Sequence, residues 1–201
     1  MYMSDVLVFN KYTTDGITVE EPGLGPYIGL NAKVIPKPSG RYAGNRFYKS
    51  DLLIVERLVN KLMVTGHKKR KHRISSGHQT GKHTKVLKIV EEAFDKVEET
   101  LSTNPIEVLV KAIENAAPRE EIITIEYGGA RYPKAVECAP QRRVDIVLRQ
   151  MAQQAKQKSF RSPTSASDAL ADEIIAAYNL NTDSSAISHK LQLERQADSS
   201  R

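Results

Sequence analysis

The sequence predicts a mainly α-helical fold, a bundle of about six helices with a protruding two-stranded β-hairpin and an extended basic N-terminal arm. Apolar residues recur at three- and four-residue spacing along most of the chain after residue 50. One stretch, at about 121–138, changes to β-branched residues around a Gly-Gly pair. Proline and glycine crowd the first 49 residues. We therefore expect an arm at 1–49 and a helical domain at 50–201.

The arm is predicted from its proline and glycine content, which breaks helices and strands alike. Between residues 20 and 44 there are nine such residues, and basic side chains alternate with aromatic ones. These side chains are Lys33, Lys37, Arg41, Arg46 and Lys49, with Tyr27, Tyr42, Phe47 and Tyr48 among them. Mixed basic and aromatic residues favour an arm that orders on a partner, and an ordinary disordered tail is the alternative.

The first two helices flank a basic loop. Ser50 or Asp51 can cap a first helix whose apolar face includes Val55, Leu58 and Val59, and Gly66 is expected to end it. The loop occupies residues 67–82, and a second helix is expected at about 82–102 with Val90 and Phe94 in its buried stripe.

A third helix and the hairpin follow. Asn104 is the expected N-cap, with Pro105 at the first helical position, Glu107 as a capping-box partner and Pro118 as the stop. The segments 121–127 and 132–138 are predicted strands around a turn at 128–131. Pro133 cannot donate a ladder hydrogen bond, so we expect it at a bulge or an open edge.

Three further helices complete the chain. They are expected at about 140–156, 165–179 and 184–197, with a basic link at 157–164 that contains Lys158 and Arg161. Their apolar faces carry Val147, Leu170 and Ile174 among others.

The positive charge is segregated. The net charge is +6, but the 34 residues between Glu56 and Glu91 hold ten Lys or Arg and no acid, so they carry +10 and the rest sums to −4. Such a segment repels itself, which favours an anionic partner over an accidental run of charge in a solvated loop. If about eight phosphates were contacted, log K would fall against log salt with a slope of about −7.

Other chemistries find little support in the sequence. The histidines at 67, 72, 78 and 83 have the wrong spacing for zinc and lie among cations, so no metal and no cofactor is expected. Cys138 lacks an activating environment and is expected to be a packing residue, and paired glutamates such as Glu91 and Glu92 fall on polar helix faces. No nucleotide loop is found and no catalytic constellation remains, so the protein is predicted not to be an enzyme. No membrane span and no signal peptide are expected.

Several cations lie where a helix dipole disfavours them. Lys82, Lys85 and Lys88 begin the second helix, and Arg142 and Arg143 begin the fourth. Phosphate is the preferred partner in both places, and a buried carboxylate is the alternative for the two arginines. Arg131 and Lys134 lie at or near the hairpin tip, where they either contact a second RNA or serve solubility.

Five ordered segments resemble the family of small-subunit ribosomal protein seven. They are IVERLVNKLM (54–63), NPIEVLVKAIENAAPRE (104–120), RRVDIVLR (142–149), LADEIIAA (170–177) and LER (193–195). The resemblance covers roughly residues 41–201, and GRYA (40–43) with the long arm is similar to the archaeal and eukaryotic branch, the archaeal one being favoured.

This resemblance implies a structural protein of the cytoplasmic ribosome that binds the 3′ major (head) domain of small-subunit rRNA and initiates head assembly. It also implies a ribbon near the exit-site tRNA and the mRNA path, and proteins nine and eleven of the subunit as neighbours. The rRNA-contact candidates are Arg41, Arg46, Lys49, Lys68, Lys69, Arg70, Lys71, Arg73, Lys82, Lys85, Arg142, Arg143, Arg149 and Arg161. The candidates at the tRNA- and mRNA-facing tip are Gly128, Gly129, Arg131 and Lys134.

Two features depart from the family pattern. The loop at 67–82 is longer than in the bacterial branch, and the tail at 198–201 is less basic than in many relatives. A non-ribosomal regulatory protein that binds RNA or DNA is the rival hypothesis. It would bind duplex DNA as tightly as structured rRNA, and the helix-turn-helix pattern it would need is not found.

Overall fold

The structure of the protein is a computed structural model that describes residues 6–64 and 82–201. Within these residues it contains six α-helices and one two-stranded antiparallel sheet, which confirms the predicted fold class. The helices are α1 Ile54–Met63, α2 His83–Leu101, α3 Pro105–Ala116, α4 Pro140–Ser159, α5 Ala166–Tyr178 and α6 Ser185–Ser199. The strands are β1 Glu120–Tyr127 and β2 Ala130–Glu137, and short 3₁₀ helices lie at Gly25–Tyr27 and Tyr48–Asp51.

Helix α5 lies at the centre of the bundle. It packs against α2, α3 and α4, whereas α1 packs against α2 and α4, and α6 covers the base of the sheet. The alanines of α5 allow close approach of the neighbouring helices, and its Leu170 and Ile174 are fully buried. Phe94, Leu109 and Leu148 enter the same core from the three surrounding helices. The helices that carry the functional candidates are therefore held on a rigid base.

Three of the helices begin at a residue whose side chain caps the first turn. The Asn104 side chain accepts a hydrogen bond from the backbone N–H of Ile106, so the predicted cap of α3 is confirmed. Ser165 and Ser184 cap α5 and α6 in the same way.

The prediction for α1 was wrong at its start, because residues Tyr48–Asp51 form a 3₁₀ helix and α1 begins only at Ile54. Ser50 is buried and bonded to Gln141, so its hydroxyl is not available as a cap. The helix ends at Met63, and Gly66 lies outside the described residues.

The β-ribbon turns on two glycines. Gly128 and Gly129 have φ angles of +59° and +82°, which other L residues rarely adopt, and they form a two-residue hairpin loop. The predicted turn was too long, because Ala130 and Arg131 already belong to β2 and pair with Tyr127 and Glu126. Isoleucine and valine at the base of the ribbon are half-buried against α6, so the ribbon leans on the bundle there.

Pro133 lies at an open edge and not at a bulge. The register is unbroken along the ribbon, with Thr124 opposite Pro133. In an antiparallel pair of strands, hydrogen-bonded and non-hydrogen-bonded residue pairs alternate, and the pair next to a two-residue turn is hydrogen-bonded. The Thr124–Pro133 pair, the fourth from the turn, is therefore non-hydrogen-bonded, and the proline nitrogen faces the outer edge of the ribbon.

The first half of the predicted arm is packed onto the helices. Val8, Tyr12, Leu24 and Ile28 are buried in the same core as the bundle. Gly29 forms a parallel bridge with Leu53 just before α1. Residue 50 is therefore not a boundary of the core, because apolar side chains on both sides of it share one interior. The exposed part of the arm is shorter, at about residues 31–49.

None of the helices in the described part of the chain is both long enough and apolar enough to cross a bilayer.

Candidate nucleic-acid interface

The best-built charged site lies where α1 meets α4. Three cations, Lys49, Arg57 and Lys61, surround the carboxylate of Asp145. Arg149 lies close enough to Lys61 to repel its charge, and we call these five residues the Asp145 cluster. Arg57 and Lys61 lie one turn apart on α1, and Asp145 and Arg149 lie one turn apart on α4, so each pair shares a helix face. Lys49 comes from the 3₁₀ helix that precedes α1.

The Asp145 cluster holds more positive charge than its carboxylate neutralises. Asp145 Oδ1 lies 3.2 Å from Arg57 Nη2 and 3.9 Å from Lys61 Nζ, and its Oδ2 contacts Lys49. Arg57 also donates a hydrogen bond of 2.6 Å to the carbonyl oxygen of Tyr27. One negative charge thus faces three positive charges, and Arg149 adds a fourth positive charge near Lys61, which leaves a local surplus of positive charge.

The pKa shifts follow from burial and from crowding of like charges. Burial lowers the pKa of Lys61, and the nearby positive charges of Arg149, Lys49 and Arg57 lower it further, against the attraction of Asp145. Burial would raise the pKa of Asp145, but the hydrogen bond from Lys49 and the nearby cations hold that pKa below its ordinary value. Asp145 therefore stays ionised, and an additional anion would relieve the repulsion between the cations.

Arg149 and Lys61 place part of this surplus positive charge at the protein surface. Arg149 is exposed, and Lys61 keeps about a third of its side chain exposed at 34 %. Arg57, in contrast, has only 4 % of its side chain exposed and serves to fix the cluster. Arg149, Lys61 and Lys49 are therefore the cations of the cluster that solvent reaches, since 31 % of the Lys49 side chain is exposed as well.

The start of α2 offers further exposed cations. Lys82, Lys85 and Lys88 are all exposed, the first turn has no acidic residue, and the cap residue Lys82 makes no side-chain capping bond. The backbone N–H groups of a helix start attract anions. The predicted opposition of these lysines to the helix dipole is therefore present in the structure.

The predicted residues of the arm lie on the surface. Arg41 is exposed and donates to the carbonyl oxygens of Pro38 and Lys37 at 3.2 and 3.1 Å. The Arg46 guanidinium lies over the ring of Phe47, 4.8 Å from its centroid. Both arginines are thus exposed, and local contacts of their guanidinium groups fix them in place.

The two arginines at the start of α4 have carboxylate partners instead. Arg143 is buried and makes a two-point ion pair with Glu21. Arg142 is half exposed, and its Nε donates to both carboxylate oxygens of Glu121 at 2.7 and 2.8 Å. The carboxylate alternative is the one the geometry favours for both arginines, and Arg143 lies inside the protein while Arg142 stays on the surface.

The remaining predicted residues are spread over other surfaces. Arg161 is exposed with its guanidinium 5.4 Å from the Phe160 ring centroid. At the ribbon, Arg131 pairs with Glu126 at 3.5 Å near the turn. Lys134 is exposed but lies opposite Ile123, midway along the ribbon and not at its tip. The loop candidates Lys68, Lys69, Arg70, Lys71 and Arg73 lie outside the described residues.

Sequence reasoning missed Arg57 and Lys61 as members of a charged site. A usable signal existed, because basic residues four apart on α1 share a face, as do Asp145 and Arg149 on α4. Only the packing of α1 against α4 brings the two faces together.

Cys138 has no reactive surroundings. Burial raises the pKa of its thiol to about 11, with further contributions from Glu121. The side chain is buried at the end of the ribbon, as expected for a packing residue. Among the residues that the structure describes, no group of three or more His, Cys, Asp or Glu side chains could hold a metal ion.

Comparison with known proteins gives a consistent result. Residues 27–201 match the family described as Ribosomal protein S7p/S5e. The chain is 50 % identical over 194 residues to the small ribosomal subunit protein uS7 of Nanoarchaeum equitans, covering 96 % of this chain and 98 % of that protein. It is 45 % identical to the uS7 protein of Archaeoglobus fulgidus, covering 98 % and 96 % of the two chains. For Methanothrix thermoacetophila uS7 the identity is 43 %, and the coverage is 96 % and 99 %.

Proposed function

The chain belongs to the Ribosomal protein S7p/S5e family, and we propose that it binds the 3′ major domain of small-subunit rRNA and initiates assembly of the head. At the coarser level it is a protein of the small ribosomal subunit, of the archaeal type, and it works within the cytoplasmic ribosome. Like its relatives, it is a structural protein and not an enzyme.

The observation that carries the proposal is the surplus charge of the Asp145 cluster. Arg149 is exposed and Lys61 is partly exposed, and the single carboxylate of Asp145 does not neutralise all the cations of the cluster. RNA phosphates are the anions that such a surface binds, because counterion release makes several contacts favourable together. The exposed lysines at the start of α2 and the arginines of the arm add charge of the same sign.

Recognition would then combine charge with shape. Phosphate contacts fix the orientation of a protein on RNA but carry no sequence information. The rigid helical bundle adds a fixed spacing between the cation groups, which suits recognition of a folded RNA by its form. The helices supply this rigidity, and the cations on α1, α2 and α4 supply affinity.

The ribbon is proposed to reach the exit-site tRNA and the mRNA path. Gly128 and Gly129 allow a tight tip, Arg131 provides a cation near it, and Lys134 provides one midway along the ribbon. The ribbon is exposed along most of its length and attached to the bundle only at its base, which supports contact with a distant partner. Proteins nine and eleven of the subunit are proposed as neighbours from the family resemblance.

Binding to an isolated rRNA head-domain fragment tests the main proposal. Purified protein is titrated with this fragment from an archaeon, with a scrambled RNA and with duplex DNA, across a salt series. We expect the head fragment to bind far more tightly than the other two, with a steep salt dependence. Equal binding to all three would reject rRNA recognition and favour a general polyanion binder.

A double variant then tests the Asp145 cluster. Lys61→Gln with Arg149→Gln should reduce the magnitude of the salt slope by roughly 1.5, because each lost phosphate contact accounts for about 0.7 to 0.9. Lys111→Gln is the matched control, since Glu20 and Glu114 already neutralise Lys111. If the control and the double variant changed the slope equally, the cluster would not be a phosphate site.

A further inference from the structure

The exposed half of the arm presents aromatic rings on a fixed segment. Phe47 is 46 % exposed, Tyr48 is 51 % exposed and Tyr42 is 37 % exposed, although large apolar side chains are normally covered. We call Arg46, Phe47 and Tyr48 the aromatic segment. Its rings contribute little to the core, so their exposure calls for a partner.

The aromatic segment is anchored rather than loose. Gln141 of α4 is buried, and its Nε2 donates hydrogen bonds of 3.0 Å to the Arg46 carbonyl oxygen and to Ser50 Oγ. Asn45 Oδ1 accepts from the Phe47 backbone N–H at 3.0 Å. The backbone is therefore fixed on both sides of Phe47, which lowers the entropy that binding would cost.

The charge around the segment identifies the class of partner. Residues 22–50 contain five Lys or Arg and no Asp or Glu. A protein partner for the rings would need an acidic surface of its own, whereas RNA carries a negative charge at every nucleotide. The Arg46 guanidinium lies over the Phe47 ring, so one flat cationic group and one ring are already stacked together.

We propose that the aromatic segment is a stacking site for an unpaired RNA base, with Phe47 as the principal platform and Arg46 and Tyr48 beside it. Bases within a duplex are stacked on one another and hide their faces, so only a splayed or single-stranded nucleotide fits. Lys49, the next residue along, belongs to the Asp145 cluster. The segment and the cluster thus form adjoining surfaces, one for a base and one for phosphates.

This inference rests on the proposed rRNA-binding function and adds a base contact to it. Stacking of one base on an aromatic side chain is worth about 1–3 kcal/mol. Phe47→Ala should therefore weaken binding of the head-domain fragment about fivefold to a hundredfold. The salt slope should stay unchanged, because no charge is removed. Failure of the unchanged protein to bind the fragment would reject the proposed function, whereas equal binding by Phe47→Ala would reject the stacking site alone.

A fluorescence experiment reports on the ring directly. The chain has no tryptophan, so Phe47→Trp introduces a single indole. We expect single-stranded RNA to quench this fluorescence, and an equally long duplex RNA or an abasic RNA strand to leave it unchanged. Leu191→Trp is the matched control, since Leu191 is 44 % exposed on α6. Equal quenching by abasic RNA, equal quenching of the control, or no quenching of Phe47→Trp would overturn the proposal, and the last result would favour a protein partner for the segment.

Discussion

Arg143 of α4 and Glu21 of the N-terminal segment form a two-point ion pair across 122 residues of sequence. Arg143 Nη2 donates to Glu21 Oε2 at 3.0 Å, and Arg143 Nε donates to the Pro118 carbonyl oxygen at 2.9 Å. Only 8 % of the Arg143 side chain is exposed, against 32 % for Glu21. The pair joins the N-terminal segment, the end of α3 and the start of α4, and so ties that segment to the bundle.

Glu21→Gln tests the strength of this link. It leaves a buried guanidinium without its charged partner, so we expect the free energy of unfolding to fall by about 2–4 kcal/mol, less than for a fully buried pair. Glu20→Gln is the control, because Glu20 is 70 % exposed and its pair with Lys111 should contribute less than about 1 kcal/mol. Urea unfolding measures both, and equal losses would contradict the assignment.

Gly29 is expected to tolerate no side chain. A Cβ atom there would lie 2.3 Å from the Leu52 carbonyl oxygen and 2.7 Å from that of Ser50, both of them backbone atoms. Gly29→Ala should therefore displace the segment before α1 and destabilise the protein by about 2 kcal/mol or more. Gly23→Ala should be near neutral in the same denaturation measurement, because nothing lies within 4 Å of its Cβ position. A neutral Gly29→Ala would disprove the close approach.

Glu173 should make stability depend on pH. It is fully buried in α5, and its Oε1 accepts from Ser184 Oγ at 2.8 Å and from the Ala186 N–H at 3.1 Å. Burial raises the pKa of Glu173 above its ordinary value of 4.5, against these hydrogen bonds and the charge of Lys158.

For a carboxyl whose pKa is raised on folding, the stabilising contribution is complete below the ordinary pKa and is lost as pH rises towards the folded pKa. Glu173→Gln cannot ionise, so its stability relative to the unchanged protein should increase as pH rises above about 4.5. Chemical denaturation at a series of pH values measures this difference. A difference that stays flat or falls would contradict the argument.

Cys138 should resist thiol reagents. Because burial raises the pKa of its thiol to about 11, almost no thiolate exists near pH 8. Labelling by a disulfide reagent should be slow in the folded protein and fast in denaturant. Ser199→Cys, near the end of α6 and exposed, is expected to label rapidly under the same conditions. Rapid labelling of Cys138 in the native protein would show that the ribbon base opens.

The ribbon turn should accept asparagine better than valine. Gly128 has a φ of +59°, a left-handed conformation that asparagine tolerates and that costs a β-branched residue about 1–2 kcal/mol. Gly128→Val should therefore increase hydrogen exchange at the ribbon amides, whereas Gly128→Asn should leave it nearly unchanged. Similar exchange in both variants would indicate that the tip does not need this backbone conformation.

The local features of the fold were predictable because each depends on neighbouring residues. The cap at Asn104, the period change at 121–138 and the Gly-Gly turn are all properties of a few consecutive side chains. The start of α1 was not predictable in this way. Ser50 looks like a cap, but Gln141, 91 residues further along, binds its hydroxyl within the interior.

The candidate site was predictable only in part for the same reason. Lys49 was identified from its charge in the arm, and Arg149 from the family resemblance. Asp145 on α4 joins Lys49 to Arg57 and Lys61, and this contact exists only because α1 packs against α4. Arg143 looks equally basic in the sequence, yet Glu21 neutralises it inside the protein. Whether a cation remains free to bind an anion depends on tertiary contacts, and these cannot be read from the charges in the sequence.

Pro133 affects the protein even before it meets a partner. A two-stranded sheet has two unpaired edges, and such edges recruit further strands from other copies and promote aggregation. Because the nitrogen of Pro133 faces the outer edge of β2 and carries no hydrogen, an added strand would find a donor missing midway along that edge. Pro133 is therefore expected to oppose the pairing of one ribbon with another along this edge, without breaking the ribbon's own strand pairing.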